Sequence, residues 1–289
     1  MKMTASYFSF EHVSFLYSDG TQAINDISLT IPVGNKIAIL GENGSGKSTL
    51  FKLLMGLERP TKGTILFKGK PLKYNKSGLQ QLRQQVGLVF QEADHQLFAS
   101  TVKQDILYGP LNLDWSIEKI TSQVDKAIAL TELEELENRP IHFLSGGQKK
   151  RVAIAGVYAM EPKVLILDEP TSSLDYYFST QLTDYLKKLD TDDRTFLYST
   201  HQINLVYEWA DYYIVLHKGK VIYVGERDAL FTNDALLQQA HIEKPWIVSV
   251  TQMLQNSDPQ WGNIAMPHSK EALVAQIVAL QKKEDLISI

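Results

Sequence analysis

The sequence predicts an α/β domain built around a mainly parallel β-sheet. Short, continuous apolar runs bounded by turn residues occur at positions 36–40, 164–167, 195–198 and 213–216. Such runs are typical of strands that are buried on both faces. Segments with helical spacing separate them, and strands that alternate with helices favour a parallel sheet. The composition, with 44% hydrophobic and 21% charged residues, is that of an ordinary globular protein.

The first 70 residues predict strands and one helix. Residues 7–16 and 24–31 are rich in β-branched and aromatic residues, which predicts two strands before the buried run at 36–40. Residues 48–57 predict a helix, because their leucines recur on one side at three- and four-residue spacing. A further strand is expected at 64–67, after the turn at Pro60.

The middle of the chain predicts a helical insertion over about 92–160. Within it, residues 116–137 are polar and helix-prone, and Ile120, Val124 and Ile128 follow helical spacing. Beyond it, we expect a hairpin of residues 215–217 and 221–223 that turns through Gly219.

The last 50 residues predict a small appendage. We place the main domain at residues 1–235 and the appendage at 236–289. Trp246 and Trp261 are candidate packing anchors. Residues 269–281 predict a capped amphipathic helix with one apolar face, formed by Leu273, Ile277 and Leu280.

Composition excludes several classes of function. The chain has no cysteine, which rules out disulfides, thiolate catalysis and cysteine-built metal sites. Its net charge of −4 gives no broad footprint for nucleic acid. The longest apolar stretches are about six to eight residues, far short of the ~20 that a membrane helix needs. The first ten residues lack a signal-peptide pattern. We expect a soluble intracellular protein that acts on a membrane only through partners.

A glycine-rich segment follows the predicted strand at 36–40. Residues 41–48, GENGSGKS, match the Walker A pattern, in which backbone N–H groups and a helix N-terminus bind phosphate. Lys47 is expected to contact the β- and γ-phosphates of ATP, and the hydroxyl of Ser48 to bind Mg²⁺. A plain glycine turn is the alternative, but the flanking strand and helix favour a phosphate loop. The candidate ATP-binding residues are Gly41, Asn43, Gly44, Ser45, Gly46, Lys47, Ser48 and Thr49.

Two carboxylates end the predicted strand at 164–167. Asp168 stands where a Walker B aspartate binds Mg²⁺, directly or through water. Glu169, the next residue, is the candidate base that polarises the water attacking the γ-phosphate. Solvated acids at a strand end are the alternative, but a phosphate loop upstream requires such partners.

Residues 144–151, LSGGQKKR, resemble the signature of the ATP-binding-cassette ATPases. Asp168 follows Ser145 by 23 positions, a spacing shared with that family. The resemblance implies a P-loop NTPase core with an antiparallel β subdomain and a helical subdomain. It also implies a head-to-tail dimer, in which Ser145, Gly146, Gly147 and Gln148 contact the ATP held by the other copy.

Other cassette elements occur in the family's order over residues 6–230. By resemblance, Tyr17 is the aromatic residue that stacks on adenine, and Gln91 is the Q-loop glutamine that contacts Mg²⁺ and water. Asp175, in the segment 173–175, resembles the D-loop aspartate at the dimer interface. His201 resembles the switch histidine that holds the γ-phosphate. The implied catalytic set is thus Glu169, His201 and Gln91, and the Mg²⁺ set is Ser48, Gln91 and Asp168.

Residues 90–98, 101–106 and 108–110 are similar to the energy-coupling factor group of this family. In that group the segment engages a transmembrane T component. Residues 208–211 and 215–219 look like its cobalt- and nickel-type members, and the C-terminal appendage has a counterpart implicated in dimerisation. Two positions depart from the pattern: His95 replaces a frequent Asp, and Tyr176 replaces the usual Pro.

The sequence leaves several functions open. The favoured one is an ATPase subunit on the cytoplasmic face of the membrane. It would power import of cobalt, nickel or a vitamin through the T component and a substrate-binding membrane component. A conventional importer or exporter cassette is the alternative. A soluble cassette ATPase of DNA repair or translation is less favoured, since the chain has one Walker A motif and no long heptad run. Homodimer and heterodimer are equally compatible.

Overall fold

The computed structural model describes residues 6–172, 174, 179–182, 184, 186, 194–257 and 264–287, with side chains as far as residue 279. In these residues the strands are β1 (Ser6–Leu16), β2 (Gln22–Pro32), β3 (Lys36–Leu40), β4 (Lys62–Phe67), β5 (Lys70–Pro71), β6 (Val86–Val89), β7 (Val164–Asp168), β8 (Thr195–Ser199), β9 (Tyr212–His217) and β10 (Lys220–Gly225). The helices are α1 (Lys47–Leu54), α2 (Lys76–Arg83), α3 (Val102–Leu111), α4 (Ile117–Leu130), α5 (Gly146–Tyr158), α6 (Ile203–Trp209), α7 (Arg227–Phe231), α8 (Asp234–Ala240), α9 (Trp246–Ser257) and α10 (Lys270–Ile287).

The larger sheet has the strand order β10-β9-β3-β8-β7-β6. All its neighbouring pairs are parallel except β10–β9, which form the expected hairpin. Every residue of β7 and β8 is buried, as their continuous apolar sequences predict. The predicted α/β class with a mainly parallel sheet is therefore confirmed.

A second, antiparallel sheet has the order β2-β1-β4-β5. Its apolar face packs on α1 and on one face of the larger sheet, where Phe8, Ile24, Ile39 and Leu50 share one core. Each predicted strand of residues 1–70 lies within two residues of an observed one.

Two predicted helices end earlier than expected. The helix predicted over 48–57 ends at Leu54, because Gly56 adopts a left-handed conformation with φ 62°. The helical segment predicted over 116–137 is helix α4 only to Leu130, since Glu132 is left-handed with φ 54°. A short 3₁₀ helix, Glu134–Leu136, follows it.

The helical insertion has a core of its own. Helices α3, α4 and α5 pack together through Val102, Ile106, Val124 and Val152, which are all buried. Two further short 3₁₀ helices, Ala93–His95 and Ile141–Phe143, precede α3 and α5 respectively. The insertion is thus a separate layer beside the sheet.

The C-terminal segment packs against the parallel sheet. Leu237, Ile247 and Val248 belong to the same core as Phe196 of β8 and Tyr207 of α6. Trp246, a predicted packing anchor, is 41% exposed, because the next two residues, Ile247 and Val248, occupy the buried positions instead. The other predicted anchor, Trp261, lies outside the described residues.

The helix predicted over residues 269–281 is α10, which continues to Ile287. Its predicted cap is present, since the Ser269 hydroxyl accepts a hydrogen bond from Ala272 N–H at 3.2 Å. Leu273 of the predicted apolar face is buried. Across the described part of the chain, no helix has both the length and the apolar character needed to cross a membrane.

Candidate nucleotide-binding site

The predicted motifs follow four neighbouring strands of the parallel sheet. The phosphate loop follows β3, His201 follows β8, Asp168 and Glu169 end β7, and Gln91 follows β6. Because parallel strands point the same way, their carboxyl ends meet at one edge of the sheet. The strand order β3-β8-β7-β6 therefore gathers segments that are up to 160 positions apart in the sequence, from Gly41 to His201.

The phosphate loop requires glycine at two of its positions. Gly41 has φ 142° and Gly46 has φ 110°, both in the left-handed half of the backbone map. A Cβ on Gly41 would lie 2.2 Å from Leu216 O, and one on Gly46 would lie 2.7 Å from Ala23 O. Gly46 also directly precedes α1, so the N-terminus of this helix, which carries a partial positive charge, lies at this edge of the sheet.

Lys47 is the buried cation of the loop. Its Nζ donates to Gly41 O at 2.8 Å and to Glu42 O at 3.1 Å, and it lies 3.7 Å from Glu169 Oε1. Burial lowers the pKa of Lys47, while the carboxylates of Glu169 and Asp168 act against that shift. Among the described residues, the buried Ser45 Oγ has no hydrogen-bond partner. An ammonium group and an unsatisfied hydroxyl in a glycine loop suit an anionic ligand.

The β7 carboxylates are held by Ser199 at the end of β8. Its hydroxyl donates to Asp168 Oδ1 at 2.6 Å and accepts from Glu169 N–H at 2.9 Å. The register of the two parallel strands pairs Asp168 with Ser199. Sequence reasoning did not select Ser199. Its position could have indicated a role in the site, because Ser199 stands two residues before His201 and follows the same predicted strand.

Glu169 and His201 form a pair in this site. Glu169 has a left-handed backbone with φ 41°, an arrangement that costs a non-glycine residue about 1–3 kcal/mol. His201 Nε2 lies 2.6 Å from Glu169 Oε1, and the Glu169 side chain is only 14% exposed. A buried carboxylate therefore contacts both the imidazole and the Lys47 ammonium group.

Tyr17 lies beside α1. Its hydroxyl is 2.9 Å from the hydroxyl of Thr49, its ring meets Phe15 edge-to-face at 4.8 Å, and Lys52 Nζ lies 5.9 Å from the ring centre. The aromatic ring is half-buried next to the phosphate loop. The site thus includes an aromatic surface on the side of β1.

The backbone of Gln91 is held by Lys150 of α5. Lys150 is 4% exposed, and its Nζ donates to the carbonyls of Phe90, at 2.9 Å, and of Gln91. Burial lowers the pKa of Lys150 to about 8. The side chains of Ser48 and Gln91 are exposed at this edge. Sequence reasoning missed Lys150, although it stands inside the signature segment.

The signature residues lie on the helical insertion. Ser145 caps α5: its hydroxyl accepts from Gln148 N–H at 3.3 Å, and Ser145 N–H donates to Gln148 Oε1 at 2.9 Å. Ser145 and Gly146 are exposed, with Gly147 half-buried beside them. They are thus built on a different layer from the strand-edge groups. Asp175 and Ser173 lie outside the described residues.

The chain belongs to the ABC transporter family, whose model matches residues 24–172. It is 44% identical over 84% of its length to the energy-coupling factor transporter ATP-binding protein EcfA2 of Methanospirillum hungatei, and it spans 61% of that relative's length. It is 39% identical over 94% of its length to the cobalt import ATP-binding protein CbiO of Rhodobacter capsulatus, covering 98% of it.

The solved structure of cbiO1 from Clostridium perfringens, part of the ABC transporter complex cbiONQ, superposes with a TM-score of 0.73. The two are 38% identical, and the match covers 89% of this chain and 98% of that one. The resemblance to the ATP-binding-cassette ATPases, and to their energy-coupling factor group, is therefore confirmed.

Proposed function

We propose that this chain is the ATP-hydrolysing subunit of an energy-coupling factor importer. The observation that carries the proposal is the contact of Glu169 with both Lys47 and His201, at 3.7 and 2.6 Å, at the edge where four parallel strands end. This arrangement joins a phosphate-binding cation to a candidate base and a second proton-bearing group. ATP is the ligand that the glycine loop and the family support.

Different groups of the chain bind different parts of ATP. The loop amides of residues 41–46, Lys47 and the N-terminus of α1 bind the phosphates. Thr49 orients Tyr17, and Tyr17 stacks on the adenine. Ser48, Gln91 and Asp168 would hold Mg²⁺, since hydroxyl, amide and carboxylate oxygens are ligands that it prefers. When bound, the ion neutralises charge on the transferred phosphoryl group.

Glu169 is the group that activates water. Ser199 fixes the backbone of Glu169, so its carboxylate stays at the edge of the sheet. In the complex with ATP, Glu169 accepts a proton from the attacking water, and His201 contacts the γ-phosphate. A positioned base of this kind contributes a factor of ~10²–10⁴ to the rate.

A second ATPase subunit completes the site. Ser145, Gly146, Gly147 and Gln148 stand on the insertion, with exposed donors at the start of α5. In a head-to-tail dimer they face the phosphates held by the other subunit. Asp175, which lies outside the described residues, is assigned to the dimer interface by resemblance alone. Both subunits are copies of this chain or one is a sibling. α10, with the exposed Val274 and Val278, contributes to dimerisation.

The membrane partner docks in a groove between the sheet and the insertion. This groove, of about 810 Å³, is lined by α2, β6 and α3, with apolar side chains from Leu79, Phe90 and Tyr108. At its rim Phe98 is 65% exposed, and its ring meets Tyr108 at 4.6 Å. Exposed aromatic side chains beside an apolar groove suit an amphipathic helix. A coupling helix of the T component is the occupant that we propose.

The transported substrate is cobalt or nickel, or else a vitamin. The name of the Rhodobacter capsulatus relative, a cobalt import protein, supports the metal. Selectivity resides in a separate substrate-binding membrane component, and the ATPase lies on the cytoplasmic face of the membrane. No nucleic acid takes part.

The test is to isolate the tagged chain from detergent-solubilised native membranes with and without ATP, and to identify what accompanies it by mass spectrometry. We expect a T-type membrane protein, a small substrate-binding protein and ATPase activity that Mg²⁺ supports. Recovery of the membrane domains of a conventional importer or exporter would support the alternative cassette role. Recovery of only ribosomal or DNA-repair proteins would contradict transport.

A further inference from the structure

Glu42 lies in the phosphate loop, and its side chain contacts two histidines outside that loop. His241 Nδ1 is 2.8 Å from Glu42 Oε2, and His217 Nδ1 is 3.3 Å from Oε1. The two imidazole rings are 6.1 Å apart and perpendicular. Glu42 occupies a variable position of the Walker A motif, and neither histidine belongs to the motifs that define the nucleotide site. One carboxylate thus joins the phosphate loop, the end of β9 and the C-terminal segment.

His241 is held in place by the end of α8. It has a left-handed backbone with φ 53°, and its N–H donates to Gln238 O at 3.2 Å. The next N–H, of Ile242, donates to Leu237 O at 2.9 Å, and the Ile242 side chain is buried in the core. This pair of hydrogen bonds closes the helix, so the direction of the His241 side chain is set by the packing of α8.

The turn after β9 also contacts and supports the phosphate loop. His217 is the last residue of β9, and its side chain is 15% exposed. Two residues later, Gly219 N–H donates to Ser45 O at 3.0 Å. Lys218, between them, adds a positive charge near Glu42. The loop is therefore supported at Ser45 through its backbone and at Glu42 through its side chain.

The charges of this group are complementary. The hydrogen bond with His241 is the largest cause that lowers the pKa of Glu42; burial acts against that shift, and electrostatic interactions with His241, His217 and Lys218 lower the pKa further. Glu42 is accordingly a carboxylate that accepts from His241 Nδ1. Its backbone carbonyl accepts from Lys47 Nζ at 3.1 Å. A single residue therefore connects the C-terminal segment to the lysine of the phosphate site.

We propose that Glu42, His217 and His241 form a positioning clamp through which the C-terminal segment holds the phosphate loop in the shape that accepts ATP. The inference rests on the proposed ATP-hydrolysing function. The three residues act through the loop and are not catalytic residues. The C-terminal segment therefore sets the affinity for ATP, and displacement of α8 weakens it.

The first experiment compares three variants. His241→Leu removes the donor, His241→Gln keeps an amide donor, and His12→Leu is the matched control. His12 forms a similar exposed pair with Asp26, at 3.0 Å, on the antiparallel sheet. We expect His241→Leu to raise the KM for ATP roughly three- to tenfold with kcat within about twofold, the range for a partly exposed, charge-assisted hydrogen bond. We expect His241→Gln to recover most of the loss and the control to match the unmodified chain.

The second measurement needs no hydrolysis. Amide hydrogen exchange of residues 42–46, without nucleotide, is expected to be faster in His241→Leu and unchanged in His12→Leu. Glu42→Leu combined with His241→Leu should give the same KM as Glu42→Leu alone, because the loss of Glu42 already removes its contact with His241. An unmodified chain that neither binds nor hydrolyses ATP overturns the proposed function but leaves this exchange test of the clamp intact.

Unchanged loop exchange in His241→Leu overturns the clamp. Additive effects of the Glu42 and His241 changes on KM also overturn it, as does a His241→Gln variant as impaired as His241→Leu. If His241→Leu fails to fold, Glu42→Leu takes its place in the measurements of KM and of exchange, and His241→Gln remains the variant that is expected to retain the contact.

Discussion

The strand-edge site and the partner groove are built in opposite ways. At the strand edge, Lys47, Asp168 and Glu169 are nearly buried, and each is in contact with another charged or polar group. The groove instead has apolar walls, and the aromatic side chains Phe98 and Tyr108 at its rim are more than half exposed. In the first region, polar groups contact other groups of the same chain. In the second, apolar surface is exposed and is available to a partner.

One segment connects these two regions. Residues 90–98 run from the end of β6 to the groove rim. Two lysines of α5 hold them: Lys150 donates to the carbonyls of Phe90 and Gln91, and Lys149 pairs with Asp94 at 2.6 Å. The same helix begins with the signature residues. Residues 90–98 and helix α5 therefore connect the groove to both the strand edge and the signature segment.

The largest effect is expected from Glu169→Gln. The amide keeps the size of the side chain but cannot accept the proton, so the turnover number should fall by ~10²–10⁴-fold. ATP binding, measured by equilibrium titration, should persist and trap the closed dimer. Glu161→Gln is the control, since Glu161 pairs with Lys119 at 2.9 Å on the surface. Hydrolysis by Glu169→Gln near the rate of the unmodified chain would falsify the role of Glu169.

The groove is tested by the double change Phe98→Ala and Tyr108→Ala. Because we propose that the partner covers these two exposed aromatic side chains, their loss should weaken association with the T-type membrane protein roughly 30-fold, as at interface hot spots. ATP hydrolysis by the isolated chain should be unchanged. Ile117→Ala is the control, since Ile117 is 69% exposed on α4 and lies outside the groove lining. Equal recovery of the membrane partner by both variants would contradict docking at this groove.

A smaller effect is expected from Ser199→Ala. The change removes the donor to Asp168 Oδ1 and the acceptor for Glu169 N–H, a loss of about 1–3 kcal/mol per buried group. ATP turnover should fall roughly tenfold, and Ser199→Thr should restore most of it. Ser257→Ala is the control, because within the described residues the Ser257 hydroxyl donates to Leu254 O of its own helix. Full activity of Ser199→Ala would show that strand packing alone positions the carboxylates.

The smallest effect is expected from Lys149→Gln. Its partner Asp94 is 71% exposed, and ion pairs of this kind contribute about 0.2–1 kcal/mol. Stimulation of ATP hydrolysis by the membrane partner should fall less than about fivefold, with the basal rate unchanged. Lys126→Gln on the exposed face of α4 should leave both rates unaltered. If the membrane partner stimulates ATP hydrolysis equally in the two variants, Lys149 does not connect the groove to the signature segment.

Much of the architecture could be predicted because its elements carry local signals. β3 matches the predicted run 36–40 residue for residue, since a strand buried on both faces leaves only apolar residues between turns. Helix ends were less accurate, because left-handed residues such as Glu132 carry no distinct signal. The candidate site residues were selected by motif, and the described ones lie at the strand edge, on α1, on the insertion or, for Tyr17, beside α1. Their roles stay predictions.

The sequence by itself determined the α/β class, the glycine loop, the carboxylates after β7 and the family of the chain. These depend on neighbouring residues, whose types and spacing suffice. Only the tertiary structure decided the contacts between distant segments: Ser199 with Asp168, Lys150 with Gln91, and His241 with Glu42 across 199 positions. A serine, lysine or histidine is common on any surface, so its role appears only when strand order and helix packing bring its partner within reach.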